Sequence, residues 1–211
     1  MSRRRQDPLE TWVPKTSLGK KVFDGQISSL YEIFQEGEKI REVEIVDVLA
    51  PNLRDDVIDI NLVQKQTDAG ETSRFTALVA VGNERGLIGV GIGKAQRVRT
   101  AIEKGIRLAK LNIHPVRTGC GSWECDCGER HSLPFKVDGK AGSVTVTLIP
   151  GPQGLGLVAG DTAKQVLRLA GIQDCWSKSI GKTTTTNSFA LATFNALKNT
   201  MKVMTPQDWS M

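Results

Sequence analysis

Aromatic residues make up only 5% of this 211-residue chain, and only two of its residues are histidine. With so few imidazoles, reactions that rest on a histidine base have little to draw on. Long hydrophobic runs are missing too. No stretch approaches the roughly 18 consecutive apolar residues that a membrane helix requires, so no membrane partner is expected. The start, Met1-Ser-Arg-Arg-Arg-Gln-Asp-Pro8, is basic but leads into no apolar segment, which argues against a signal peptide. A reducing, cytoplasmic setting is therefore expected. There, the four cysteines read as metal or redox chemistry before they read as a disulfide framework.

What is present bounds the answer further. Hydrophobic residues at 39% can build a core, which excludes wholesale disorder. The length allows one large domain or two small ones. Lys and Arg number 28 against 23 Asp and Glu, a net charge of +5 that points to a polyanion without naming one. That small sum conceals polarity. Residues 1–27 read as an extended arm carrying Arg3, Arg4, Arg5, Lys15, Lys20 and Lys21, either a solvated tail or an RNA contact. Residues 42–59 instead hold Glu42, Glu44, Asp47, Asp55, Asp56 and Asp59 with Arg54 alone opposing them, which suits a basic protein neighbour better than RNA.

Ser29 and Glu32 have capping-box spacing, Leu30, Ile33 and Phe34 share a face, and Gly37 closes a short helix. Residues 57–66 alternate, with Ile58, Ile60 and Leu62 against Asp59 and Asn61, and predict a strand. Residues 73–82 and 87–92 predict two more, with turns at Asp68-Ala-Gly70 and Asn83-Glu-Arg-Gly86. From Ala95 to about Asn112 the period turns helical, with Val98, Ala101, Ile102, Gly105, Leu108 and Ala109 on one face. Arg97, Arg99, Lys104, Arg107 and Lys110 take the other. Residues 113–132 break the pattern. Strands at 134–137 and 143–149 follow around an Asp138-Gly139 hairpin turn. A glycine-rich loop over 150–160 leads to a helix capped by Asp161 and closed by Gly171. A strand near 173–180 and a helix from Asn187 or Ser188 to about Thr200 finish the domain.

The architecture is thus α+β in two units. A basic arm and short helix occupy 1–37, a first domain 38–114, a Cys/His loop 115–132, a second α+β domain 133–202 and a tail 203–211.

Gly89, Gly91 and Gly93 alternate along a strand and strip one face of Cβ atoms, with Lys94 next in line. Such a face admits either an RNA backbone or a closely packed helix, and spacing leaves both open. A nucleotide P-loop is excluded, because Ile88 and Ala95 stand where that motif needs Gly and Ser or Thr. The run Gly181-Lys-Thr-Thr-Thr-Thr-Asn187 fails the same test at Trp176. It is either a phosphate-binding loop with Lys182 or an ordinary capped one.

Cys120, Cys125, Cys127 and His131 follow the spacing C-x4-C-x-C-x3-H. Three thiolates and an imidazole are a complete tetrahedral set for structural zinc. The polar, glycine-rich residues between them have no core to fold on, and a metal supplies what is missing. His114 is a substitute imidazole, and a flexible loop with reduced cysteines is the competing reading. Cys175, in a strand beside Trp176, reads as a small buried hydrophobe. No nucleophile and base pair up, so catalysis is not expected.

Several ordered segments resemble one known family. They are Phe75–Gly82 (FTALVAVG), Gly86–Ala95 (GLIGVGIGKA), Gly142–Gly160 (GSVTVTLIPGPQGLGLVAG), Leu169–Asp174 (LAGIQD) and Phe189–Phe194 (FALATF). The chain is similar, over about residues 40–200, to the fifth protein of the small ribosomal subunit in its archaeal/eukaryotic form. The resemblance implies a first domain of the double-stranded-RNA-binding type, αβββα, and a second α+β domain with a crossover of unusual hand. It implies binding of small-subunit ribosomal RNA and of neighbouring subunit proteins, notably the fourth, where messenger RNA enters. Support for decoding accuracy follows, within a particle rather than a homo-oligomer. The loop Gln64 to Arg74 corresponds to one that reaches the RNA of the head and neck.

With the charge pattern, the expected RNA contacts are Arg3, Arg4, Arg5, Lys20, Lys21, Lys65, Arg74, Gly89, Gly91, Gly93, Lys94, Arg97, Arg99, Lys104, Arg107 and Lys182. Two rivals remain. The loop 151–160, with Gly154-Leu-Gly156 before a helix, is similar to the phosphate loop of small-molecule kinases related to galactokinase. Leu157, Val158 and Ala159 stand where those enzymes carry serines. The second rival is a free-standing RNA-binding regulator.

Overall fold

A computed structural model of the chain describes residues 12–203. Three short helices come first: α1 (Ser17–Phe23), α2 (Leu30–Glu36) and α3 (Val43–Leu49). The extended-arm reading therefore fails from residue 12 onward, since Trp12, Leu18 and Val22 are buried. Two apolar residues four apart are too short a signal to register as a helical period. Glu42 supplies the rest: its carboxylate accepts from Trp12 Nε1 at 2.8 Å, Lys15 N at 3.0 Å and Thr16 N at 2.6 Å. Burial alone would raise its pKa, but these bonds outweigh it and hold the carboxyl below its ordinary value. In α2, Ser29 Oγ accepts from Tyr31 N at 3.2 Å while Glu32 reaches back to Ser28 N at 3.2 Å. The expected box thus forms one residue out of register.

The first sheet has the order β1-β2-β3-β4, with β1 (Arg54–Thr67), β2 (Gly70–Gly82), β3 (Leu87–Ala95) and β4 (Ile113–Pro115) all antiparallel. Helix α4 (Val98–Leu111) joins β3 to β4. With α3 before the three long strands, the predicted αβββα order is present. The β1–β2 hairpin is longer than its alternation suggested, and the stretch 60–74 is exposed on both strands.

Strand β2 has no solvent face at its C-terminal half. Ala77, Val79 and Val81 pack under α4, whereas Leu78 and Ala80 join Ile88 and Val90 in a core shared with the second domain. Burial on both faces explains why this strand reads as a continuous apolar run instead of an alternation.

The three alternating glycines serve that packing. A Cβ at Gly89 would lie 2.2 Å from Ala109 O, at Gly91 2.3 Å from Ala109 N, and at Gly93 2.0 Å from Ala101 O. Helix α4 occupies the stripped face, so the expectation that Gly89, Gly91 and Gly93 contact RNA is overturned. Backbone does approach closely there, but it is the chain's own.

The second sheet has the order β5-β6-β8-β7, built from β5 (Val137–Ala141), β6 (Val144–Pro150), β7 (Leu157–Val158) and β8 (Cys175–Ile180). Only the β7–β8 pair is parallel. Helices α5 (Asp161–Ala170) and α6 (Thr186–Asn199) alternate with the last strands. Asp138-Gly139 is not the hairpin turn; both residues lie inside β5, and Gly142 at φ +60° turns the chain. Gly139 is glycine because a Cβ would meet Ala192 O and Ala196 N of α6 at 2.2 Å. Gly160, not Asp161, is the N-cap of α5, and Asp161 sits in the first turn, where its charge suits the helix dipole.

The two units share one core. Leu78, Ile88 and Val90 of the first meet Val146, Leu167 and Phe194 of the second. The β2–β3 turn caps α5: Glu84 N donates to Leu169 O at 2.9 Å and Gly86 N to Ala170 O at 3.0 Å. His114, on β4, lies against Phe34 and Phe194, with ring centroids 6.1 and 5.8 Å away. Burial, aided by the Lys198 charge, pushes its pKa down to about 4.

Gly91→Ala should destabilise the protein by about 2–3 kcal/mol through overpacking, read from the midpoint of denaturant unfolding. The unfolded-state pKa of His114 is about 6.5, above its folded value. The unfolded chain therefore takes up the proton first, and the stabilising contribution is complete above pH 6.5 and lost as pH falls towards 4. Thermal melts across this range should show a steeper decline for wild type than for His114→Phe; parallel declines would assign the acid sensitivity elsewhere.

Candidate metal centre and basic surface

The Cys/His loop is closed at its base by a short ladder. Gly119 and Ser132 exchange both backbone hydrogen bonds at 2.9 Å, and Gly121 N donates to Leu133 O at 2.9 Å. Gly121 is required here, because a Cβ would stand 2.1 Å from Pro134 O. Above that base Cys120, Cys125, Cys127 and His131 converge, their ligand atoms all within 4.8 Å of one another. Cys125 Sγ lies 3.9 Å from His131 Nε2. Zinc–sulfur bonds of about 2.3 Å place tetrahedral thiolates roughly 3.8 Å apart, so the four atoms need only a small contraction around an ion.

The thiols pull against one another. The Gln153 backbone N–H, helped by the Cys127 thiol, lowers Cys125 to about 6. At Cys127 the Glu129 backbone N–H favours the thiolate, but the Cys125 and Cys120 sulfurs outweigh it and raise the thiol to about 11. Near neutral pH, like charges this close ionise together only with a cation between them. His114 is not among the converging groups, and Cys175 is buried in β8, its thiol pushed up to about 12 by desolvation.

Sequence spacing missed Asp174. It lies 43 positions beyond His131, yet its Oδ2 is 2.7 Å from His131 Nδ1. Both side chains are almost fully buried, at 4% and 5% exposed. Its other oxygen, Oδ1, accepts from Gly156 N at 2.7 Å. Ser132 Oγ donates to the Asp174 carbonyl and accepts from Gly151 N at 3.2 Å. No local pattern marks these partners, because they come from a different turn of the chain. Gly151 and Gly156 thereby donate inward, and a loop whose amides are so engaged is not a phosphate cradle. The kinase-like reading fails on this ground.

A basic surface lies at the N-terminal end of α4. Arg74, Lys94, Arg97 and Lys104 line an open hollow of about 590 Å³. An adjoining hollow of about 720 Å³ shares Lys94 and Lys104 and adds Lys15, Arg41 and Arg107, with Glu42 and Glu44 on its wall. Strands β2 and β3 and helix α4 thus bring together Arg74, Lys94, Arg97, Lys104 and Arg107 of the expected set. Arg41 was not anticipated, because it directly precedes the acidic run that begins at Glu42. The first turn of α4 holds no acidic residue and its N-cap Arg97 makes no side-chain cap bond, which leaves that end favourable to anions.

The other expected bases are dispersed. Lys65 is exposed in the hairpin, Lys182 in the loop after β8, and Lys20 on α1. Lys21 pairs with Glu36 and Glu38 at 3.9 and 3.2 Å, and Arg99 with Glu103 at 3.1 Å. Exposed pairs of this kind contribute only about 0–1 kcal/mol. Arg3, Arg4 and Arg5 fall outside the described residues. Three of the six acidic residues in 42–59 are engaged within the chain: Glu42 holds the N-terminal segment, Asp47 pairs with Lys110, and Asp59 accepts from Thr186, while Asp55 and Asp56 are exposed.

Comparison with known proteins agrees in both halves. Residues 53–117 match the family described as "Ribosomal protein S5, N-terminal domain", and residues 139–209 match "Ribosomal protein S5, C-terminal domain". A protein of Staphylothermus marinus named "Small ribosomal subunit protein uS5" is 57% identical over 209 residues, 99% of this chain and 98% of the relative. A protein of that name from Pyrobaculum calidifontis is 62% identical over 192 residues, 91% of this chain and 95% of its own. Another, from Aeropyrum pernix, is 57% identical over 212 residues, covering 100% of this chain and 97% of its own.

Proposed function

The chain belongs to the ribosomal protein S5 family, and from that premise we propose how it acts as a structural, non-enzymatic constituent of the small ribosomal subunit in the cytoplasm. It binds ribosomal RNA through the basic surface at the N-terminal end of α4. The observation that carries this reading is the convergence of Arg74, Lys94, Arg97, Lys104 and Arg107 on adjoining hollows. Cations and a helix N-terminus grip phosphates and fix position without reading base edges, which is what a structural RNA protein requires. The exposed hairpin with Lys65 makes a second contact, and Lys20, Lys21, Lys182 and the Arg3–Arg5 cluster add peripheral ones. The resemblance noted above supports a place beside the messenger's point of access, next to the fourth small-subunit protein, with an influence on decoding accuracy.

The Cys/His loop is a structural zinc centre held by Cys120, Cys125, Cys127 and His131. Its four protein ligands leave no open position, so the ion supplies folding energy to a loop that lacks a core. Its support is the donor set and its convergence.

Replacing Arg97, Arg99 and Arg107 together should weaken binding to small-subunit RNA and make the salt dependence shallower by about two to three released counterions. An unchanged slope would place the RNA face elsewhere. Co-sedimentation with the small subunit at high magnesium separates a resident protein from a free-standing regulator. Native protein should carry about one zinc per chain, and Cys125→Ser should weaken its retention and open the loop 119–132 to protease. A metal-free native preparation with all four thiols titratable would end the zinc assignment.

A further inference from the structure

Asp174 is shared between two loops that sequence separates widely. Its Oδ2 lies 2.7 Å from His131 Nδ1 in the Cys/His loop, and its Oδ1 accepts from Gly156 N at 2.7 Å in the glycine-rich loop. Its backbone repeats the bridge. The Asp174 carbonyl accepts from Ser132 Oγ, which in turn accepts from Gly151 N at 3.2 Å. Gln173 N donates to His131 O at 2.9 Å, and Cys175 N donates to Gly156 O at 3.2 Å. At the rim Gln153 Nε2 donates to Glu129 Oε2 at 3.3 Å. No buried side-chain nitrogen or oxygen among the described residues is left without a partner.

We propose that Asp174 is a positioning residue that makes metal loading of the Cys/His loop and ordering of the glycine-rich loop 151–156 a single event. The inference rests on the zinc-centre reading and adds its structural consequence. A neutral imidazole carries one proton. A carboxylate beside Nδ1 keeps the proton there and leaves the Nε2 lone pair facing the thiols, the arrangement that ligating histidines adopt. The same carboxylate has a second acceptor oxygen, and Gly156 uses it.

An amide in its place has only one acceptor oxygen. With that oxygen on Gly156, asparagine at 174 would turn an N–H towards His131 Nδ1 and drive the imidazole proton onto Nε2, removing the ligating lone pair. With it on His131, an N–H would face Gly156 N and leave that amide without its acceptor. Anything that binds only the ordered form stabilises every part of that form. An ion held by His131 consequently tightens Gly156 and Gly151 through Asp174 and Ser132, although neither glycine belongs to the metal loop.

The test uses the full-length protein, titrated with cobalt(II) and zinc, with amide hydrogen exchange followed across 151–156. Metal should slow exchange at Gly151 and Gly156 in wild type. Asp174→Asn should bind cobalt about 10–100-fold more weakly, with an altered cobalt–thiolate absorption band and fast exchange at Gly156 even when loaded. Asp174→Glu, which keeps both oxygens, should recover part of each loss. If wild type binds one equivalent and exchange at Gly156 does not respond, the coupling is wrong while the zinc centre stands. Equal metal affinity in Asp174→Asn would refute the positioning role in the same way. If wild type takes up no metal, it is the zinc-centre reading that fails. The wild-type exchange measurement decides the coupling even where Asp174→Asn does not fold.

Discussion

Burial of both faces of the β2–β3 ribbon is the constraint on which the rest of this structure depends. One face lies under α4, and glycines at 89, 91 and 93 allow the helix backbone to approach within contact of the strand. The other face carries Leu78, Ala80, Ile88 and Val90 into the core of the second domain. Sheets covered on both sides need apolar residues on both sides, and β2 supplies them in sequence. Neither domain then presents an interface that can part cheaply, because each would expose the wall it shares. The position of α4, and with it the basic surface, is fixed from beneath by that packing.

The Cys/His loop illustrates a different economy. It has too few apolar residues to hold itself together, and its order comes from polar groups instead. Gly119, Gly121 and Ser132 close its base through backbone bonds, and His131 is buried against Asp174. In a site this dry, a hydrogen bond left unmade is costly, on the order of 1–3 kcal/mol per buried group. The full satisfaction of the network is therefore a structural condition. It also ties the loop to the glycine-rich segment by engaging the amides of Gly151 and Gly156.

Charge is sorted in the same internal way. The acidic run over 42–59 looked like a surface for a basic neighbour. In the fold, Glu42 pins the N-terminal segment, Asp47 meets Lys110, and Asp59 meets Thr186 of α6. Arg74, Lys94, Arg97, Lys104 and Arg107 meanwhile gather along α4 and the strands beside it. A net charge of +5 is thus distributed unevenly, with several cations brought together where strands β2 and β3 meet α4.

Local spacing was enough to determine a good part of this protein. The α+β class, the three strands and helix of the first domain, and the grouping of Cys120, Cys125, Cys127 and His131 were all legible from residues near one another. Asp138-Gly139 misled because a glycine needed against α6 spells the same dipeptide as a hairpin turn. The alternating glycines were equally ambiguous, since an absent Cβ does not say which backbone will come close. Trp12 and Glu42, and His131 and Asp174, are pairings across 30 and 43 positions, and Arg41 and Lys94 line one hollow from 53 positions apart; no periodicity records any of these. They form only when packing brings distant segments together. The sequence by itself therefore determined the elements and their chemistry, and the tertiary structure alone decided which face each element buries, and so which groups remain for RNA and which are consumed in holding the chain together.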